Sequence, residues 1–379
     1  METSHWICFA DSRKMEFLAD QSVELVVTSP PYPMIRMWDE TFSQLEPAIS
    51  QSLEAGNGWD AFEQMHRVLD SVWQEVCRVL APGGFACINI GDAVRKIGDI
   101  FSLYPNHSRI MQAFMEQGMY PLPAVLWRKQ TNAPNKFMGS GMLPAGAYVT
   151  LEHEYVLIFR KGPKREFKGA EQRLHRQQSA YFWEERNQWF SDIWFDLKGA
   201  RQDLVEKKLR KRSGAFPFAL PYRLISMYSV AGDTVLDPFA GTGTTLFAAM
   251  AAARNSTGVE TEKDFYPVME KKRHEIPGFA RQVIDARLRA HMDFAAAKKA
   301  DGKPLKYMNT HYGFPVMTRQ EIPLRFFYPR TVQVSEPGRF VVGYDDAQPA
   351  GLFNGGHAES AETPEKPEPG QAPVQKSLF

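Results

Sequence analysis

The tetrad Ser29-Pro30-Pro31-Tyr32 ends an apolar, β-branched run from Val23 to Val27 that only Glu24 interrupts. Such a run, stopped by proline, predicts a buried strand with an abrupt end. Neither proline has an N–H to donate, and Pro31 holds Pro30 in extended geometry. The Pro30 carbonyl and the Ser29 hydroxyl are thereby left as acceptors, with the Tyr32 ring beside them. Acceptors next to a stacking surface suit a planar ring that carries an exocyclic amine. Taken alone, the tetrad reads equally well as a Pro-Pro turn closing a core strand.

A second stretch, Val235-Leu236-Asp237-Pro238-Phe239-Ala240-Gly241-Thr242-Gly243-Thr244-Thr245, is again a short apolar strand, here entering a glycine-rich turn. Glycine lets the backbone approach a ligand closely, and a carboxylate at a strand end can take a cationic amino group. No Lys follows the second glycine, which argues against a loop that cradles a nucleoside triphosphate. Gly258-Val259-Glu260 then supplies an acid at the tip of the next strand, where a ribose diol would lie.

Together these residues resemble the S-adenosylmethionine-dependent DNA amino-methyltransferases, which methylate cytosine N4 or adenine N6. In that family a (Ser/Asn/Asp)-Pro-Pro-(Tyr/Phe) tetrad is catalytic and an Asp-Pro-Phe-x-Gly-x-Gly loop binds the cofactor; Ser29–Tyr32 and Asp237–Gly243 match both. The resemblance runs from Trp6 to Lys271, and its tetrad-first order is that of the circularly permuted β class. It implies catalytic roles for Ser29, Pro30, Pro31 and Tyr32. It implies S-adenosylmethionine contacts from Asp11, Phe216, Pro217, Asp237, Pro238, Phe239, Gly241, Gly243, Thr244 and Glu260. Asp11 equally suits the N-cap of a helix over Lys14 to Ala19. Serine at position 29 resembles the cytosine-N4 enzymes, since adenine-N6 enzymes more often carry Asp or Asn there; adenine N6 stays open as the alternative. Motif order disfavours an RNA or protein methyltransferase. Intact Ser29, Tyr32, Asp237 and Glu260 disfavour an inactive DNA-binding relative.

The elements that must position these motifs are short strands separated by helices. Strands are expected over Trp6–Ala10, Val23–Val27, Phe85–Ile90, Leu122–Trp127, Glu154–Phe159, Val235–Asp237 and Thr257–Glu260. Helical spacing of apolar residues marks Phe62–Leu80, Ile110–Gln117 and Leu246–Ala253. This alternation predicts an α/β fold: a doubly wound, mainly parallel, seven-stranded Rossmann-like methyltransferase sheet. Residues 1–160 would form its catalytic half and residues 215–275 its cofactor-binding half. Met34–Gly58 reads as a mobile loop plus helix near the target base, or as a structural lid; Met138–Tyr148 reads as a cover for the pocket. Residues 276–344 would be a C-terminal extension, helical from Ile276 to Ala297 and then irregular with some strand. Residues 345–379, rich in Pro, Gly, Glu and Ala, would be a disordered tail.

With 379 residues, 44% hydrophobic content and a net charge of +1, the chain can bury a large core but is not a globally basic nucleic-acid binder. DNA contacts must come from local patches. Arg160–Arg176 and Lys198–Arg212 each carry seven Lys/Arg against two acids. Aromatics lie between them, suiting either a phosphate-contacting surface or a minicore; the resemblance to the permuted class, whose target-recognition region falls in this interval, implies that role for residues 161–214. Lys207, Lys208, Arg210, Lys211 and Arg212 are the expected contacts to double-stranded DNA. Cys8, Cys77 and Cys87 lack metal spacing, and no metal is expected. A reducing, cytoplasmic location follows, with no signal or membrane segment. The ending Gln375-Lys376-Ser377-Leu378-Phe379 resembles the peptide that bacterial replication proteins dock on the sliding clamp, through Gln375, Leu378 and Phe379. A cognate restriction endonuclease sharing the site is the other expected partner.

Overall fold

Val23, Leu25, Val26, Val27 and Thr28 are all buried, as expected of a parallel strand covered on both faces. In the computed structural model, which describes residues 1–129, 138–199 and 216–345, this strand lies inside a ten-stranded sheet. The strands are β1 (Glu2–Phe9), β2 (Val23–Thr28), β3 (Leu80–Ile90), β4 (Met119–Arg128), β5 (His153–Lys161), β6 (Ile193–Trp194), β7 (Thr234–Asp237), β8 (Asn255–Glu260), β9 (Tyr328–Glu336) and β10 (Arg339–Asp345). Their spatial order is β6-β4-β5-β3-β2-β7-β8-β1-β10-β9. From β3 to β1 the pairing is parallel throughout. Strand β5 runs antiparallel to both β3 and β4.

Side-chain alternation along β2 divides the core. Val26 packs in a cluster with Met65, Leu69, Trp73 and Val76, the inner face of a long helix (Gly58–Val79). Leu25 and Val27 point the other way, joining Leu220, Leu224, Ala248 and Ala249 from the helices Ala219–Tyr228 and Thr244–Ala251. The sheet is therefore wound on both sides, with the seven expected strands inside it. The cysteines are free. Among the described residues no helix is long and apolar enough to cross a membrane.

Several expectations change. The short strand β6 and the hairpin β9–β10 add three strands to the sheet; the strand expected in the C-terminal extension is this hairpin, whose β10 pairs with β1. Residues 14–19 form turns and no helix. There Asp11 accepts the Arg13 amide at 2.9 Å and its guanidinium, closing a local turn in place of an N-cap. Met34–Gly58 folds into a short turn of helix (Arg36–Trp38) and two helices (Asp39–Leu45 and Ala48–Glu54). Arg95 anchors it by two 2.7 Å bonds to Asp39. The 138–148 segment pairs Gly139 with Ala147 in a small hairpin and is not part of the cavity wall described below.

The basic stretch Arg160–Arg176 lies at the wrong end of the sheet to meet a base at Ser29. Because β5 is reversed, it carries the chain away from the tetrad. Lys161 Nζ donates to the Leu80 carbonyl at 2.8 Å, at the start of β3, and Arg165 grips Asp233, just before β7. Between the basic stretches, Phe182, Trp189 and Trp194 are buried, which makes these aromatics core. The second stretch, with Lys207, Lys208, Arg210, Lys211 and Arg212, and the tail with Gln375, Leu378 and Phe379, lie outside the described residues.

Candidate active site

The carboxyl ends of β2 and β7 face one cavity of about 780 Å³, in the crevice where open α/β sheets hold ligands. Its lining includes Ser29, Pro30, Pro31 and Tyr32 from one strand end, and Asp237 to Thr242, Thr244 and Glu260 from the neighbouring strands and the glycine-rich turn. Trp38, Thr41 and Phe42 from the segment after the tetrad close the side. The strand register explains the meeting: Leu25 and Val26 pair with Val235 and Leu236, so both motifs leave the sheet at the same level.

Behind the tetrad, buried amide and imidazole groups hold the turn. Asn106 Nδ2 donates to the carbonyls of Pro33 at 3.1 Å and Gly91 at 2.9 Å, and its Oδ1 lies 3.0 Å from His66 Nε2. Met34 completes the turn with a left-handed φ of 66°, an uncommon conformation for a non-glycine residue. A side chain at Gly91 would meet Tyr32 Cε2 at 3.1 Å, so the glycine makes room for the aromatic ring.

The Tyr32 hydroxyl sits in a closed network. It accepts from Asn89 Nδ2 at 2.9 Å and from the Ser29 hydroxyl at 3.1 Å, and donates to Glu154 Oε2 at 2.9 Å. Asn89 also donates to Glu154 Oε2 at 2.7 Å, and Lys129 Nζ pairs with Glu154 Oε1. Burial first, and then the Glu154 charge, raise the Tyr32 phenol well above its ordinary value, so it remains protonated. Asn89, Lys129 and Glu154 were not singled out in the sequence. Their only signal is a polar residue breaking an apolar strand, at Ile88-Asn89-Ile90 and before Tyr155.

On the neighbouring strand, the Asp237 carboxylate accepts from Thr28 Oγ1 at 2.5 Å, Thr245 Oγ1 at 2.6 Å and the Phe239 amide at 3.0 Å. Burial pushes its acid up to about 6, against the pull of both threonines. Glu260 accepts from the amides of Gly241 at 2.8 Å and of Thr261 and Glu262 at 2.9 Å each. Burial raises this acid too. Gly243 turns at φ 81° into the following helix. A Cβ on Gly241 would have only the Phe239 carbonyl, 4.0 Å away, so this backbone is open to a ligand.

Of the residues expected to hold a cofactor, Asp11, Phe216, Asp237, Pro238, Phe239, Gly241, Thr244 and Glu260 line the cavity. Pro217 and Gly243 stand behind it: Pro217 accepts from Leu220 N, and Gly243 leads into the helix. Asp11 is half-exposed, and its hydrogen bonds from Arg13 hold it below the usual carboxylate range.

The profile of a family described as DNA methylase matches residues 23–271. Over 350 residues, 92% of this chain and 97% of the relative, the protein is 51% identical to the type II methyltransferase M.MthZI of Methanothermobacter thermautotrophicus. The chain belongs to the DNA methylase family. A second relative, the type II methyltransferase M.MjaI of Methanocaldococcus jannaschii, is 51% identical over 71% of this chain and 91% of its own. Among solved structures, TTHA0409 of Thermus thermophilus, in complex with S-adenosyl-L-methionine, superposes with a TM-score of 0.56 at 30% identity, covering 72% of this chain and 95% of that one. The cytosine-N4-specific PvuII DNA methyltransferase shares the fold, with a TM-score of 0.50 at 18% identity over 71% of this chain and 86% of its own.

This DNA methylase uses the family's cofactor, S-adenosylmethionine, and its cavity fits that molecule. Two carboxylates, Asp237 and Glu260, face a slot whose apolar side is Phe216, Phe239, Val259 and Phe265. Two acceptor carboxylates beside an apolar side match a cationic amino acid joined to a diol and an aromatic ring, with the bare Gly241 backbone also at the cavity.

Proposed function

We propose that this methylase transfers a methyl group from S-adenosylmethionine to the exocyclic amine of a base flipped out of double-stranded DNA, with cytosine N4 as the target. The observation that carries the reading is the shared cavity: the amine acceptors of the tetrad and the carboxylates of the glycine-rich loop face the same space. Bound beside the loop, the cofactor supplies an electrophilic methyl group on its sulfonium. Ser29 and the Pro30 carbonyl accept hydrogen bonds from the amine and draw its nitrogen towards tetrahedral geometry, freeing the lone pair. Positioning and fixed dipoles supply most of the rate. Tyr32 stacks on the extruded base and offsets part of the flipping cost, a few kcal/mol, with about 1–3 kcal/mol per stack. Asp237 takes the cofactor's amino group, Glu260 its ribose hydroxyls, and Asp11 its adenine amine.

Serine in the first position of the tetrad favours cytosine N4; adenine N6 is the second reading, since a hydroxyl serves either amine. Labelled cofactor and unmethylated DNA, followed by nucleoside mass spectrometry, decide it: methylcytosine supports the first, methyladenine the second, and no methylated base removes both.

Within the expected target-recognition region, residues 161–214, the second basic stretch carries the DNA contacts in this reading, with residues 1–160 and 215–275 as the two halves of the methyltransferase domain. Strand β6 ends beside Trp127, and Trp127 Nε1 donates to the Leu197 carbonyl, while Phe216 lines the cavity. Both flanks of the 200–215 interval thus stand at the cavity end of the sheet, which supports Lys207, Lys208, Arg210, Lys211 and Arg212 as phosphate contacts. The tail residues Gln375, Leu378 and Phe379 would dock on a sliding clamp, holding the enzyme near new DNA in the cytoplasm by effective concentration. A restriction endonuclease of the same specificity is the expected genetic partner.

A further inference from the structure

We propose that Glu154 is the final proton acceptor of the methyl transfer, reached from the target nitrogen through Ser29 and Tyr32. The inference rests on the methyl-transfer reading above and adds to it the route by which the nitrogen loses its proton.

The direction of the chain is dictated by which groups can donate. Asn89 Nδ2 donates to Glu154 Oε2 at 2.7 Å and to the Tyr32 oxygen at 2.9 Å. A carboxylate only accepts, and an amide NH2 only donates. The Tyr32 proton must therefore point at Glu154, 2.9 Å away. The remaining Tyr32 lone pair takes the Ser29 proton at 3.1 Å. Ser29 is then left with its own lone pairs for the substrate amine. Every proton in the row already points towards Glu154.

Glu154 is suited to the end of this row. Its side chain is 13% exposed, and Lys129, on its other oxygen, balances its charge. The charged and titratable groups around it are Lys129 and Tyr32, with neutral Asn89 completing its contacts. Tyr32, kept neutral by burial, relays a proton without ever becoming a phenolate.

As the nitrogen takes the methyl group, breaking the donor's S–C bond, its N–H bond breaks and leaves the electron pair on nitrogen. That proton joins Ser29 Oγ, the Ser29 proton passes to the Tyr32 oxygen, and the Tyr32 proton to Glu154 Oε2. The cationic donor and the carboxylate both end neutral, and Ser29 and Tyr32 are regenerated.

The test is single-turnover methylation of unmethylated DNA by the full chain, comparing wild type with Glu154→Gln, Tyr32→Phe and the double variant. Cofactor affinity is measured by calorimetry, and base extrusion by the fluorescence of 2-aminopurine placed in the duplex. A relay predicts that each single variant slows transfer by about a hundredfold, the scale of general-base catalysis. It predicts that the double variant is no slower than either, with affinity and fluorescence unchanged. Formate should accelerate Glu154→Ala in a saturable manner, which a purely structural carboxylate would not show. Near-normal transfer by Glu154→Gln, or a double-variant loss equal to the product of the two, would overturn the relay. Absence of methylated DNA with the wild type would instead remove the methyl-transfer reading itself.

Discussion

Thr28 Oγ1 donates to Asp237 Oδ1 at 2.5 Å, joining the last residue of one strand to the last residue of its neighbour. The bond fastens the tetrad to the glycine-rich loop, so substrate acceptors and cofactor carboxylates share one rigid base. Replacing Thr28 with valine keeps the shape and removes the donor from a buried carboxylate, a loss of about 1–3 kcal/mol. A lower urea midpoint together with weaker cofactor binding is the expected result. An unchanged midpoint would show the bond to be incidental.

Cofactor affinity should depend on pH through Asp237. Burial places this acid at about 6, so below pH 6 the free site is protonated and loses the charge that receives an amino group. Affinity should therefore rise with pH up to about 6, by at most about tenfold per unit, and level off above. The Asp237→Asn variant should show a flat profile and weaker binding. A wild-type titration that is level from pH 5 to 7 contradicts the assignment.

Ser29→Ala and Tyr32→Ala should each strongly reduce methyl transfer while leaving the cofactor dissociation constant close to wild type, because in the proposed reading both side chains face the base. Tyr32→Ala also forfeits about 1–3 kcal/mol of stacking. Near-normal turnover by Tyr32→Ala on duplex DNA would rule out the stacking role.

Neutralising several of Lys207, Lys208, Arg210, Lys211 and Arg212 should weaken DNA binding and flatten its salt dependence, by about 0.9 in the log–log slope for each phosphate left without its cation. Neutralising Lys164 and Lys168, at the opposite end of the sheet, should leave the slope unchanged. Equal effects from the two sets would disprove the placement of DNA at the cavity end.

For the tail, a peptide of residues 364–379 titrated against purified sliding clamp should bind, and its Leu378→Ala/Phe379→Ala counterpart should not. Binding of both or of neither removes the docking motif.

Contiguous motifs were legible. Ser29–Tyr32 and Asp237–Gly243 each gather their proposed chemistry in adjacent residues, and the strands leading to them are mainly apolar, with Glu24 the charged interruption. The network behind Tyr32 was not legible. Asn89 lies on β3, Glu154 on β5 and Lys129 directly after β4, and they converge only because β5 reverses direction and pairs Ile90 with Tyr155. The same reversal decides where Arg160–Arg176 stands: its charge was visible in the sequence, but its place at the far end of the sheet was not. At Asp11 a local contest decided the backbone: its side chain satisfied Arg13, and the helix over Lys14–Ala19 did not start. The hairpin β9–β10 had local signals, Val332 alternating with Val334, a Pro337-Gly338 turn and the run Phe340-Val341-Val342, but its place in the sheet was not legible. Its partner strand is the chain's own N-terminus.

The reversed strand also separates two engineering problems. Its second residue, Glu154, stands at the cavity, while its last residue, Lys161, emerges at the far end of the sheet, where Pro163 and Lys164 are exposed. A fluorophore or a fused reader domain attached at Pro163–Lys164 would be held by the rigid core yet stand a full strand length from the methylated base. That makes the loop after β5 an attachment point for reporters that leave the catalytic end sterically clear.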